Sequence, residues 1–287
     1  MRTTTSPLID AGWLNSHLSA PDVIVLDASW YLPAQNRDAE LEFLNGHIPG
    51  AVRFDFDERF ADISSTLPHM LPTVERFTQE ACALGIKKDS RIIIYDGAGI
   101  FAAPRAWWMF RAMGHEAVAV LDGGLPAWKS TGGPLETGPE KPRTNGDFLA
   151  TLDRRWVRSA KEVKAALETN SATVVDARSA ARFSGTEQEA RPGLRSGHMP
   201  GSRNLPFDRL LKDGRYADAE ILKEALRDTG IIPGHPAIAS CGSGVTASII
   251  ALAAEAVLQQ QVAVYDGAWA EWGQTSRPDL PVATGGD

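Results

Sequence analysis

The sequence predicts an α/β protein of two tandem domains, each a mostly parallel sheet covered by helices on both faces. Three observations carry this prediction: the chain repeats itself, its strand candidates are apolar almost throughout, and longer helical stretches alternate with them. "VIVLDAS" (23–29) returns as "TVVDARS" (173–179), "GHIPGAVRFDFD" (46–57) as "GHMPGSRNLPFD" (197–208), and "AVLDGGLPAW" (119–128) as "AVYDGAWAEW" (263–272). The copies stand 149, 151 and 144 residues apart, so one domain has been duplicated with small insertions. A length of 287 residues suits two domains of ordinary size. The Pro-, Gly- and charge-rich stretch "GGPLETGPEKPRTNGD" (132–147) reads as a linker. The expected organisation is therefore an N-terminal domain over 1–133, a linker over 134–152 and a C-terminal domain over 153–287.

Strands are expected at 23–27, 51–54, 91–95 and 117–121 in the first copy, and at 173–176, 202–205, 236–240 and 262–265 in the second. Runs such as "RIIIY" suit a sheet buried on both faces, which means parallel strands under helices. Ser159 and Glu162 form a capping box at a helix start, with Val163 and Leu167 on one face. Pro7 after Ser6 reads as a similar start in the first copy. Residues 245–258 are apolar nearly all round, as a buried helix should be.

Composition excludes several classes. The hydrophobic share of 43% and charged share of 23% are those of a globular protein, and no apolar run is long enough for a membrane span. "MRTTTSPLIDAGWL" has no apolar core of a secretory signal, so a cytoplasmic protein is expected. A net charge of −7 with scattered Lys and Arg gives no footprint for nucleic acid. Cys82 and Cys241 lie 159 positions apart, and without a secretory marker a structural disulfide is not expected. No His/Cys cluster has ligand spacing, so neither a metal nor another cofactor is implied.

The duplication supplies an internal control. Features in both copies, such as His47 and His198 of the Gly-His-x-Pro-Gly turns and the paired Trp128 and Trp272, are assigned to the fold. Aligning "RIIIYDGAGIFAAPRAWW" (91–108) with "PAIASCGSGVTASIIALA" (236–253) sets Asp96 opposite Cys241, so only the second copy has a nucleophile. A strand ending in a short Gly-rich loop before a helix presents backbone N–H groups and the positive end of the helix dipole, which favour a thiolate. Gly242 and Gly244 let the backbone curl closely around the sulfur. A nucleotide P-loop would need a following Lys, and a cysteine phosphatase would need Arg where Ala247 stands, so both phosphate readings fail. Cys82, in a helical stretch without such a loop, is read as structural.

The duplication, the Gly-His-x-Pro-Gly turns and above all "CGSGVTA" (241–247) resemble the tandem-domain sulfurtransferases of the rhodanese superfamily, from about Thr4 to Val282. The resemblance implies two rhodanese-like domains, the first non-catalytic because Asp96 replaces Cys. It also implies sulfur transfer through a Cys241 persulfide, with Gly242, Gly244, Val245 and Thr246 as substrate-binding loop positions. Thiosulfate-using relatives carry basic residues where Gly242 and Ser243 stand, so the neutral loop points to 3-mercaptopyruvate as donor, releasing pyruvate. By the same resemblance Arg182 and Arg191, in a segment without equally placed counterparts in the first copy, bind the substrate carboxylate and keto oxygen. Ser243, His69 and Asp57 match a proton-handling set, which would put the site between the domains. Implied acceptors are a thiol such as thioredoxin, or cyanide. Two alternatives stay open: a thiosulfate:cyanide sulfurtransferase, and a persulfide carrier or binding module without enzymatic activity.

Overall fold

The structure, a computed structural model, describes residues 6–285; residues 1–5, where the resemblance and the expected first domain begin, and residues 286–287 lie outside the described residues. The chain separates into two compact units. One comprises the chain up to Ile63, Leu71–Asp153 and Asp213–Tyr216; the other comprises Ser64–Met70, Arg154–Lys212 and the chain from Ala217.

In the first unit a five-stranded parallel sheet runs in the order Leu8–Ile9, Val118–Leu121, Arg91–Tyr95, Val23–Asp27, Val52–Arg53. Side chains alternate along each strand. Val23, Val25, Ile93 and Tyr95 pack with Ala11 and Leu14 of helix Ala11–His17 and Phe43 of helix Ala39–Asn45. The intervening Ile24, Leu26, Ile92 and Ile94 are equally buried, and helix Ala103–Ala112 packs on the sheet as well. The second unit repeats the order with Val157–Arg158, Ala263–Tyr265, Ala237–Ser240, Thr173–Asp176 and Arg203–Asn204, all parallel. Each expected strand is present, some of them shorter than expected.

One expected element is absent. No helix starts at Ser6–Pro7: the Pro7 carbonyl accepts from Val120 N–H as Leu8–Ile9 joins the sheet edge, where proline's missing donor costs nothing. Asp10 caps the first helix instead, its carboxylate accepting from Trp13 N–H at 2.7 Å. Strands of two residues, here and at Val157–Arg158, are too short for any periodicity to announce. The Ser159–Glu162 capping box forms as read. The stretch expected as a linker runs along the first unit, with Glu136 and His47 exchanging backbone bonds and Gly146 N–H donating to the Cys82 carbonyl.

The matched residues behave as fold elements. His47 stacks on Phe43 with ring centroids 3.8 Å apart, and His198 on Phe183 at 4.0 Å. Trp128 and Trp272 are fully buried, and each indole N–H donates to a proline carbonyl, of Pro134 and Pro281 respectively. Cys82 donates to the Phe148 carbonyl at 3.3 Å. Among the described residues no helix is long and apolar enough to cross a membrane.

Candidate active site

Cys241 follows the strand Ala237–Ser240, whose neighbours are Ala263–Tyr265 and Thr173–Asp176. From Thr173–Asp176 the chain leads to one edge of the sheet and from Ala237–Ser240 toward the other, so the carboxyl ends of these strands flank a topological switch point, the usual ligand position in open parallel sheets. The loop continues to Thr246, and helix Ala247–Leu258 follows. Val245 and Thr246, expected within the helix, stay in the loop.

The loop closes around the sulfur. Cys241 is 1% exposed, and Gly244 N–H donates to its Sγ at 3.1 Å. Gly244 sits at φ +81°, a left-handed conformation that favours glycine, and its carbonyl accepts from Ser248 Oγ at 3.2 Å. Two backbone bonds pin the other side: Trp269 N–H to the Cys241 carbonyl and Ala270 N–H to the Gly242 carbonyl, both 2.9 Å. Ser243 is 7% exposed, and its side chain makes no hydrogen bond among the described residues.

Gly242 serves a different purpose: a Cβ there would lie 3.1 Å from Nη2 of Arg182, a tight contact that glycine relieves. The guanidinium therefore rests on the loop. Arg182 belongs to helix Ala180–Ser184, which Ser179 starts by accepting from Arg182 N–H. Its Nε and Nη2 donate to the two Glu189 oxygens at 3.2 and 2.5 Å, while Nη1 carries no hydrogen bond among the described residues. Glu189 also accepts from Arg178 at 2.7 Å, and Arg178 forks onto Asp176 and lies 4.0 Å above the Trp269 ring. Burial pushes the Arg178 pKa down, but Asp176 and Glu189 more than offset it, so the guanidinium is held charged.

Arg191 lines a cavity of about 330 Å³ with Thr66, Leu67, Pro68, Gln274 and Ala270, the residue bonded to the Gly242 carbonyl. Arg191 has no hydrogen-bond or ion-pair partner among the described residues. His69 lies in Ser64–Met70, which clusters with this unit despite its place in the first half of the chain. It is 4% exposed and adopts φ +58°. Asp57 belongs to the first unit, where it accepts from Trp30 Nε1–H at 2.9 Å and lines a cavity of about 750 Å³ with Arg53 and Phe56.

The first unit holds the matching loop, filled by Asp96. One carboxylate oxygen accepts from Ala98 N–H at 2.9 Å, and the other from Phe101, Ala102 and Ala103 N–H at 3.0, 2.8 and 2.8 Å. Burial raises its pKa against the pull of these four donors. The two loops share a strand, glycines and helix start; one encloses a carboxylate and the other a thiol.

A rhodanese-like domain matches residues 10–131 and again 159–275. The chain belongs to the rhodanese family. Among this rhodanese's relatives, the Escherichia coli 3-mercaptopyruvate sulfurtransferase is 42% identical over 281 residues, covering 97% of this chain and 98% of that one. The human 3-mercaptopyruvate sulfurtransferase is 41% identical over 285 residues, covering 97% and 95%. A chicken thiosulfate sulfurtransferase is 40% identical over 282 residues and covers 96% of both chains. The crystal structure of an Escherichia coli 3-mercaptopyruvate sulfotransferase superposes with a TM-score of 0.83 at 40% identity, covering 93% of this chain and 100% of that one.

One sequence expectation needs correction. Arg182 does have a counterpart: Arg37 reaches the Gly97 carbonyl of the Asp96 loop at 3.4 Å and pairs with Glu42 at 2.6 Å. Arg37 stands ten residues after Asp27 and Arg182 six after Asp176, so loops of unequal length hid the match. Glu189 and Arg178 were also missed. A signal was present in "DAR" (176–178), an arginine directly after a buried strand, where the first copy has "DAS" (27–29).

Proposed function

We propose that this rhodanese moves sulfur from 3-mercaptopyruvate through a Cys241 persulfide to a second nucleophile. The observation that carries this reading is the neutral loop. Cys241 Sγ accepts from the Gly244 N–H with Gly242 and Ser243 beside it, and the cations, Arg182 and Arg191, come from a separate segment. The similarity to 3-mercaptopyruvate sulfurtransferases, 42% and 41% identical against 40% for the thiosulfate sulfurtransferase, supports the same donor. So does the distribution of charge: a guanidinium beside the loop suits a carboxylate attached to the reacting sulfur by a short carbon chain.

The thiolate of Cys241 attacks the thiol sulfur of 3-mercaptopyruvate. A sulfur–sulfur bond forms, the carbon–sulfur bond breaks, and its electron pair leaves on carbon as the enolate of pyruvate. Arg182 and Arg191 hold the carboxylate and keto oxygen, so enolate charge develops against cations already in place. Ser243 and His69 handle the protons: the one on the substrate thiol and the one the enolate takes up. Gly242, Gly244, Val245 and Thr246 shape the cradle that receives the transferred sulfur. An acceptor thiolate, as in reduced thioredoxin, or cyanide then attacks the outer sulfur and restores the Cys241 thiolate. The kinetics are those of two half-reactions through a covalent intermediate. A cytoplasmic setting, where thiols are kept reduced, fits this cycle.

The test is pyruvate release from 3-mercaptopyruvate with a thiol acceptor, beside thiosulfate under the same conditions. A kcat/KM well in favour of 3-mercaptopyruvate supports the reading. A preference for thiosulfate would replace it with the thiosulfate:cyanide alternative.

A further inference from the structure

The cation resting on the loop is one end of a chain of charges. Asp176, Arg178, Glu189 and Arg182 alternate in sign, joined at 2.6, 2.7 and 2.5 Å. The side chains of Asp176, Arg178 and Glu189 are at most 2% exposed, whereas Arg182 is 28% exposed. Charges this close with little water between them interact strongly. We propose that Glu189, through its two bonds to Arg182, is a positioning residue that sets donor specificity.

Two consequences follow from the geometry. The Glu189 carboxylate engages the Nε and Nη2 edge of Arg182 as a fork, which fixes the guanidinium plane and leaves Nη1 for a ligand. The four charges of the chain also cancel. Arg191, unpaired among the described residues, then offsets the Cys241 thiolate, so a donor with a single carboxylate leaves one surplus negative charge and a dianion such as thiosulfate leaves two, beside Glu189. Bracing the loop alone does not require that the carboxylate be buried: the first unit does it with Arg37 and Glu42, 34% and 37% exposed.

This inference rests on the reading of Arg182 and Arg191 as the carboxylate clamp, and its test separates the two. The full chain and the variants E189Q and E189D are assayed with 3-mercaptopyruvate and with thiosulfate. In E189Q, which keeps the shape and loses the charge, the ratio of kcat/KM for the two donors shifts toward thiosulfate by about tenfold, chiefly through KM. E189D keeps the charge on a shorter arm: KM for 3-mercaptopyruvate rises while thiosulfate stays as poor a donor as in the parent enzyme. Should E189Q not fold, E189D carries the test alone. Equal losses for both donors in E189Q, or a gain for thiosulfate in E189D, overturn the proposal. A parent enzyme that prefers thiosulfate overturns the donor reading instead, and the shift in ratio between parent and E189Q still decides the role of Glu189.

Discussion

The loops at 96–103 and 241–247 are two versions of one device. Both follow a central parallel strand, both turn on glycines, and both lead into a buried helix. In the first, a carboxylate takes four backbone N–H groups and an Arg–Glu pair lies above, covered by Tyr31, whose ring sits 3.8 Å from the Arg37 guanidinium. In the second, the side chain is a thiol, the glutamate of the Arg–Glu pair is buried, and a further arginine, Arg191, lines a cavity with Ala270, which is bonded to the loop. A Gly-rich loop closed around its first side chain is thus a property of the fold, and chemistry depends on what fills it and on which cations stand beside it. Asp96 also shows what the cradle accepts: an anionic atom two bonds beyond Cβ, the place a persulfide's outer sulfur would take on Cys241.

Four experiments break or sharpen this comparison. The largest effect belongs to Cys241→Ser, which loses sulfur transfer by at least about a thousandfold; residual transfer near the parent rate would remove Cys241 from the mechanism. Next, Asp96→Ala orphans four N–H groups, two of them buried, and lowers stability by about 2 kcal/mol or more in a denaturant titration. A melting curve unchanged by that substitution would mean that the first cradle does not depend on its anion. Arg191→Ala raises KM for 3-mercaptopyruvate about tenfold and lowers kcat as well, because it removes a cation that holds the substrate and faces the developing enolate. Last, Asp96→Cys adds a thiol with one neighbouring arginine, Arg37, and not the Arg182 and Arg191 pair, so mass spectrometry after donor treatment should still find one sulfane sulfur per chain. A second would show that the loop and a single Arg–Glu pair suffice.

Much of this was readable along the chain because it is local. The apolar runs announced parallel strands, and the repeat announced two copies of one domain. Because the copies align at Asp96 and Cys241, the nucleophile could be singled out without any other sequence. What local pattern could not show is equally definite. Two-residue edge strands carry no period, so Leu8–Ile9 was mistaken for the approach to a helix. Arg37 was overlooked because its loop differs in length from that of Arg182, and His69 could not be assigned to a unit from its position in the chain.

Taken by itself, the sequence determined the fold class, the duplication, the cysteine and the neutral character of its loop, since each is written in neighbouring residues or in a repeat. Only the tertiary structure decided where the charges go. The four N–H groups converge on Asp96 because the backbone of its own loop curls around it, and that Glu189 lies between Arg178 and Arg182 depends on side chains 11 and 7 residues away folding back to meet it where water is excluded. There each buried charge must find its partner, and spacing along the chain does not say which partner that is.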